Sequence, residues 1–98
     1  MPKGYWITSY RTVSNPAIHS KYADLAGPAI AAFGGRFLVR GTPSRTFEGG
    51  LNQRCVVIEF ASVADAVAAY ESPAYQAALA LLDGSTQREV RILEGAER

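Results

Sequence analysis

The sequence predicts an α+β domain in which an antiparallel four-stranded sheet carries its helices on one face. Three observations predict it. Stretches rich in β-branched and aromatic residues alternate with capped amphipathic stretches, their order is βαββαβ, and the third strand, CVVIEF, is apolar on both of its faces. A chain of 98 residues fits one domain with one core. Such a domain buries only about two-thirds of its unfolded surface, so a partner surface is expected to take up the remaining apolar groups.

Tyr5 to Val13 reads as the first strand, bounded by Gly4 and by Asn15-Pro16. Asn15 is a natural N-cap, and Pro16 suits the first helical position because its missing N–H has no partner there. Ile18, Tyr22, Leu25, Ala29 and Ala32 or Phe33 then form one helical stripe that stops at Gly34-Gly35. Gly27-Pro28 interrupts this stripe, which predicts a kink or two shorter helices.

Arg36 to about Thr46 and Arg54 to Ala61 read as the second and third strands, joined by the turn-prone EGGLN. Ser62 and Asp65 open the next helix, which runs through Tyr70 with Val67 and Ala68 on its apolar side. Ser72-Pro73 restarts the capping signal for Ala74 to Leu82, with Asp83-Gly84 as the stop, and Gln87 to Leu93 alternates as the last strand. This order is that of the ferredoxin-like split βαβ arrangement.

Period-two alternation assigns the faces of the third strand. Val56, Ile58 and Phe60 point one way, and Cys55, Val57 and Glu59 the other. A wet face would alternate toward polar residues, so a second copy of the chain is expected to cover the face away from the helices. The expected assembly is a homodimer with a cleft between two sheets.

Composition excludes several function classes. The formal charge is +1, which supplies no field for a polyphosphate backbone, so nucleic acid is not an expected partner. The third strand also lacks the base-stacking aromatics of an RNA-recognition motif, which shares this element order. One His, one Cys and no ligand-spaced carboxylates argue against a metal, and no cofactor is expected; Gly34-Gly35 and Gly49-Gly50 form neither a dinucleotide nor a Walker loop. No window approaches the length of a membrane span and the N-terminus lacks an apolar leader, so the expectation is a cytoplasmic protein away from membranes.

The candidate site residues start with GGRFLVRG. In a regular strand Arg36, Leu38 and Arg40 share one face, with the two arginine Cα atoms about 13 Å apart, while Phe37 and Val39 meet the helices. Arg40 then points into the inter-sheet cleft. There it either pairs with Glu59 as a structural ion pair or anchors a carboxylate or phosphate through its bidentate fork. His19 is the one side chain with an unperturbed pKa suited to proton transfer near neutrality; a solvated helix position is the alternative. Trp6 and Tyr10 share a strand face and wall an apolar ligand if that face is the cleft. Tyr75 offers a hydroxyl at the cleft rim or a structural hydrogen bond, and Tyr22 and Tyr70 read as core.

YWI near the start, NP with Tyr22 in the first helix, GGRFLVRG, VVIEF, YESPAYQ and the terminal LEG resemble the bacterial family called domain of unknown function 1330. The resemblance covers nearly the whole chain and implies a dimeric α/β barrel, with two ferredoxin-like sheets facing each other around a cleft. It implies no activity. The sequence departs from the family pattern at Asn15 and Ile18-His19, and it lacks a basic residue in the SPAYQ helix.

These readings converge on a homodimeric small-molecule-binding protein or a cofactor-free enzyme for a small anionic or aromatic substrate. Arg40 would orient the anion, and Glu59 or His19 would move a proton. The alternative is a structural or protein-interaction module without turnover.

Overall fold

A computed structural model describes residues 2–82 and 84–96. Seven elements follow one another: β1 (Gly4–Val13), α1 (Pro16–Ala31), β2 (Arg36–Gly41), β3 (Cys55–Phe60), α2 (Val63–Glu71), α3 (Pro73–Ala80) and β4 (Thr86–Glu94). All strand pairs are antiparallel in the order β2-β3-β1-β4, so the α+β, ferredoxin-like expectation holds.

The caps form as the sequence dictates. Asn15 accepts from the Ile18 amide, Ser62 from Asp65 and Ser72 from Tyr75, so each helix starts where a side-chain oxygen takes an orphan N–H. Ser72 both ends α2 and begins α3, which breaks the second helical region in two. Asp83, read as part of a helix stop, lies outside the described residues.

Gly4 sits where a side chain has no room: an added Cβ would lie 2.5 Å from the Ser62 carbonyl oxygen. This packs the start of β1 tightly against the entry to α2. Gly34, at φ +82, reverses the chain between α1 and β2 in a conformation that glycine adopts freely.

The inner face of the sheet and the helices form one core. Trp6, Tyr10, Val56, Ile58 and Phe60 from the strands meet Tyr22, Ala26, Ile30, Ala66, Ala69 and Tyr75 from the helices. The opposite face has no cover among the described residues: Val39 is 51% and Leu93 48% exposed there, beside half-buried Ile7, Cys55 and Val57.

Four sequence expectations are corrected. Of the kink or two shorter helices expected at Gly27-Pro28, the division into two does not occur: α1 runs through Pro28 as one element, with Pro28 and Asp24, whose carbonyl loses its partner, both exposed to water. Its buried stripe is Tyr22, Ala26, Ala29 and Ile30, with Leu25 half exposed. In α2 the buried positions are Ala66 and Ala69 rather than Val67 and Ala68. Strand β2 ends at Gly41 instead of near Thr46, leaving a longer loop.

Candidate functional site

Alternation along β1 aims Trp6, Thr8 and Tyr10 at the helices. The register places Thr8 beside Val56 and Val90, and Tyr10 beside Arg88 of β4. Arg88 is therefore in phase with apolar Val90 and Ile92, a cation delivered to the inner face of the sheet. Helix α1 lies over this region and contributes His19, Tyr22 and Ala26. Between them is a cavity of about 70 Å³, walled by Trp6, Tyr10, His19, Tyr22, Arg54 and Arg88 among others.

Arg88, Tyr10, Tyr22, Tyr75 and His19 form one connected set. Arg88 donates from Nη1 to Tyr22 Oη at 3.1 Å, from Nη2 to Tyr75 Oη at 2.7 Å and, at 3.5 Å, toward Tyr10 Oη. Tyr22 and Tyr75 join hydroxyl to hydroxyl at 2.7 Å. Tyr10 Oη lies 2.9 Å from His19 Nε2. Burial, then the Arg54 and Arg88 cations, hold the His19 imidazole below its usual range, so it is neutral at pH 7 and shares one proton with Tyr10 across this bond. Burial also raises the Tyr10 and Tyr75 phenols; Arg88 opposes the rise at both, and the nearby Tyr22 adds to it.

Three guanidinium groups line the cavity, and none has a carboxylate partner among the described residues. Arg88 is satisfied by phenols. Arg40 lies over the Phe37 ring, 4.8 Å from its centroid. The Nε of Arg54 is buried with no hydrogen-bond partner among the described residues. Such a surplus of positive charge and N–H donors is chemically complementary to an anion.

A β-bulge explains why Arg40 is here rather than in the inter-sheet cleft. Arg36 pairs with Glu59 and Phe37 with Ile58, but the next pairs are Val39 with Val57 and Arg40 with Val56. The extra residue, Leu38, shifts the alternation, so Arg40 joins the inner face and Val39 the open one. Glu59 remains on the open face, where Arg36 reaches it at 3.0 Å, Lys3 at 3.3 Å and the Tyr5 hydroxyl donates at 3.2 Å. Burial tends to raise the Glu59 pKa, but these donors outweigh it and hold the carboxyl below its usual range. The Arg40–Glu59 pairing read from the sequence is thus replaced by Arg36–Glu59.

Of the sequence-predicted site residues, Trp6, Tyr10, His19 and Arg40 share the cavity. Tyr75 is fully buried directly behind it, bound to Tyr22 and Arg88, rather than at a cleft rim. Glu59 lies on the other side of the sheet. The expected site between two sheets therefore separates into an inner cavity under α1 and an outer ion-pair cluster. Arg54, Arg88, Thr8 and Tyr22 were not singled out as functional. For Arg88 a signal existed, since it stands in the apolar phase of its strand.

An open depression of about 320 Å³, walled by Val13, Pro16, Ser20 and three residues of the cavity, His19, Ala23 and Arg54, adjoins it. It gives the cavity a mouth. Among the described residues there is no cluster of three or more His, Cys, Asp or Glu side chains suited to a metal ion, and no helix long and apolar enough to cross a membrane.

The family model described as Domain of unknown function (DUF1330) matches residues 3–96. No curated protein matches the sequence. Among solved structures, the chain is similar to a protein of unknown function from Rhodopseudomonas palustris, with a TM-score of 0.74 and 14% identity over 99% of this chain and 85% of that one. It is also similar to a dimeric ferredoxin-like protein of unknown function from Thermobifida fusca, with a TM-score of 0.64 and 17% identity over 95% and 91% of the two chains. A variant of a cofactor-independent oxygenase from Streptomyces nogalater matches with a TM-score of 0.67 and 14% identity over 100% and 96%. At these identities the likeness shows a shared fold.

Proposed function

The chain belongs to the DUF1330 family, and from that premise we propose that it is a homodimeric small-molecule-binding protein whose anionic ligand enters the cavity between α1 and the sheet. One observation carries this reading: Arg40, Arg54 and Arg88 converge on a single cavity with no carboxylate partner among the described residues. Leaving cationic donors partly desolvated and unpaired is costly, and a bound anion relieves that cost.

The same groups support a cofactor-free enzyme. Arg54 and Arg88 stabilise negative charge on a substrate oxygen, and the Tyr10–His19 hydrogen bond provides a path for a proton. The half-exposed apolar groups on the open sheet face, Val39, Val57 and Leu93, support a second copy as its cover. That the Thermobifida fusca neighbour is described as dimeric agrees with this arrangement.

Trp6 is the chain's one tryptophan and lines the cavity, so its emission reports occupancy directly. Titration with a panel of small anions is expected to change Trp6 emission saturably in the wild type and much more weakly in Arg54→Met. If no anion perturbs Trp6, the binding reading fails and the non-catalytic module remains.

A further inference from the structure

Hydrogen-bond accounting within the cavity narrows the ligand further. Tyr75 is fully buried, so its hydroxyl proton requires an acceptor, and among the described residues only Tyr22 Oη offers one. Tyr22 Oη also accepts from Arg88, which fills both of its lone pairs. Its own proton is then left without an acceptor among the described residues, in a hydroxyl that lines the cavity. Thr8 is in the same position. Its Oγ1 accepts from the Trp6 indole N–H at 2.8 Å, and its hydroxyl proton has no side-chain acceptor among the described residues.

His19 Nε2 is occupied by Tyr10, and Tyr10 Oη is turned toward both His19 and Arg88. What the side chains leave for a ligand is therefore a set of donors: Thr8 O–H, Tyr22 O–H, Arg54 Nε–H and the Arg40 fork. Donors outnumber the acceptors that remain: both lone pairs of Tyr22 Oη are filled, and Thr8 Oγ1 keeps one beside its own proton.

We propose that this donor-rich lining selects a short-chain monocarboxylate of two to four carbons over the isosteric amide, with Thr8 and Tyr22 as specificity-determining residues. The inference rests on the reading of the cavity as an anion site. Both carboxylate oxygens accept only, whereas an amide nitrogen would point its own N–H groups at donors and leave buried groups unpaired. The Arg54 cation and the neutral His19 imidazole stand at the mouth, and Ile30 and Ile58 supply apolar wall, so the acid group stays near Arg54 and the chain lies against the apolar wall. The volume sets the chain length. At about 70 Å³ the cavity has roughly half the space, about 150 Å³, that is known to admit benzene in a dry apolar cavity.

The test uses Trp6 emission of the full chain with propionate, propionamide and benzoate as probes. Propionate is expected to bind at least about tenfold more tightly than propionamide, and benzoate to bind more weakly than propionate. Tyr22→Phe and Thr8→Val are expected to narrow the acid-to-amide ratio by weakening propionate, and Thr8→Ser to preserve it. The Thr8 pair keeps the test decisive if Tyr22→Phe does not fold. Equal binding of propionate and propionamide overturns the donor-rich polarity, and tighter benzoate overturns the size limit; either result leaves the anion cavity standing. Silence of Trp6 toward every anion in the wider panel fails the cavity reading itself.

Discussion

The Tyr10 hydroxyl and His19 Nε2 stand 2.9 Å apart, a strand residue and a helix residue closing one side of the same cavity. Burial and the Arg54 and Arg88 cations require the imidazole in this pair to be neutral.

That requirement makes stability depend on pH. The folded-state pKa of His19 is depressed, so below its ordinary value the unfolded chain binds a proton that the folded chain refuses. Stability from this residue is complete above about pH 6.5 and falls as the pH drops from there toward the folded-state pKa. Urea midpoints measured between about pH 7 and pH 5 should decline in the wild type and decline less in His19→Gln. Equal slopes in the two proteins would refute the assignment.

Arg88 should matter more to the site than to the fold. Arg88→Met keeps the aliphatic stem and removes donors to Tyr10, Tyr22 and Tyr75, so a loss of about 1–3 kcal/mol in stability is expected. Anion-dependent quenching of Trp6 should fall at least about tenfold. Thermal melts alongside the titrations separate the two effects.

Two glycines should respond in opposite directions. Gly4→Ala forces a Cβ to within 2.5 Å of the Ser62 carbonyl oxygen, and overpacking of this kind costs about 1–3 kcal/mol. Gly27, within α1, has nothing within 4 Å of the added Cβ, so Gly27→Ala should stabilise by about 0.5–1 kcal/mol. Denaturant melts of the two variants give the signs directly.

The open sheet face should control assembly. Val57→Asp places a charge at its centre while leaving the helix-facing side chains untouched, so the mass from light scattering should drop from twice the chain mass to the chain mass. A variant that remains dimeric would move the interface elsewhere.

A double-mutant cycle distinguishes the two arginines of GGRFLVRG. Arg36 and Glu59 should show a coupling that weakens with salt, while Arg40 and Glu59 should show none, since a sheet separates them.

The fold was legible because its signals are local. Asn15, Ser62 and Ser72 start helices by donor-acceptor chemistry within three residues, and the alternation of Val56, Ile58 and Phe60 needs no knowledge of the neighbouring strand. The site was only half legible. Trp6, Tyr10, His19 and Arg40 do gather in one cavity, but the face on which Arg40 lands depends on one extra residue in β2, and period-two counting carries straight through it. Leu25 misled in the same way: α1 buries the adjacent Ala26 and leaves Leu25 half exposed, and no propensity marks that choice.

The bulge at Leu38 has a second effect, on unwanted growth. Strand β2 is an outer edge of the sheet, and a straight edge offers a row of free amides and carbonyls on which another chain can polymerise. One extra residue breaks the spacing of that row, and Arg36 and Arg40 set a cation on each side of the break. An incoming strand cannot match the ladder for more than a few residues. The protein is thereby steered away from endless edge-to-edge ribbons.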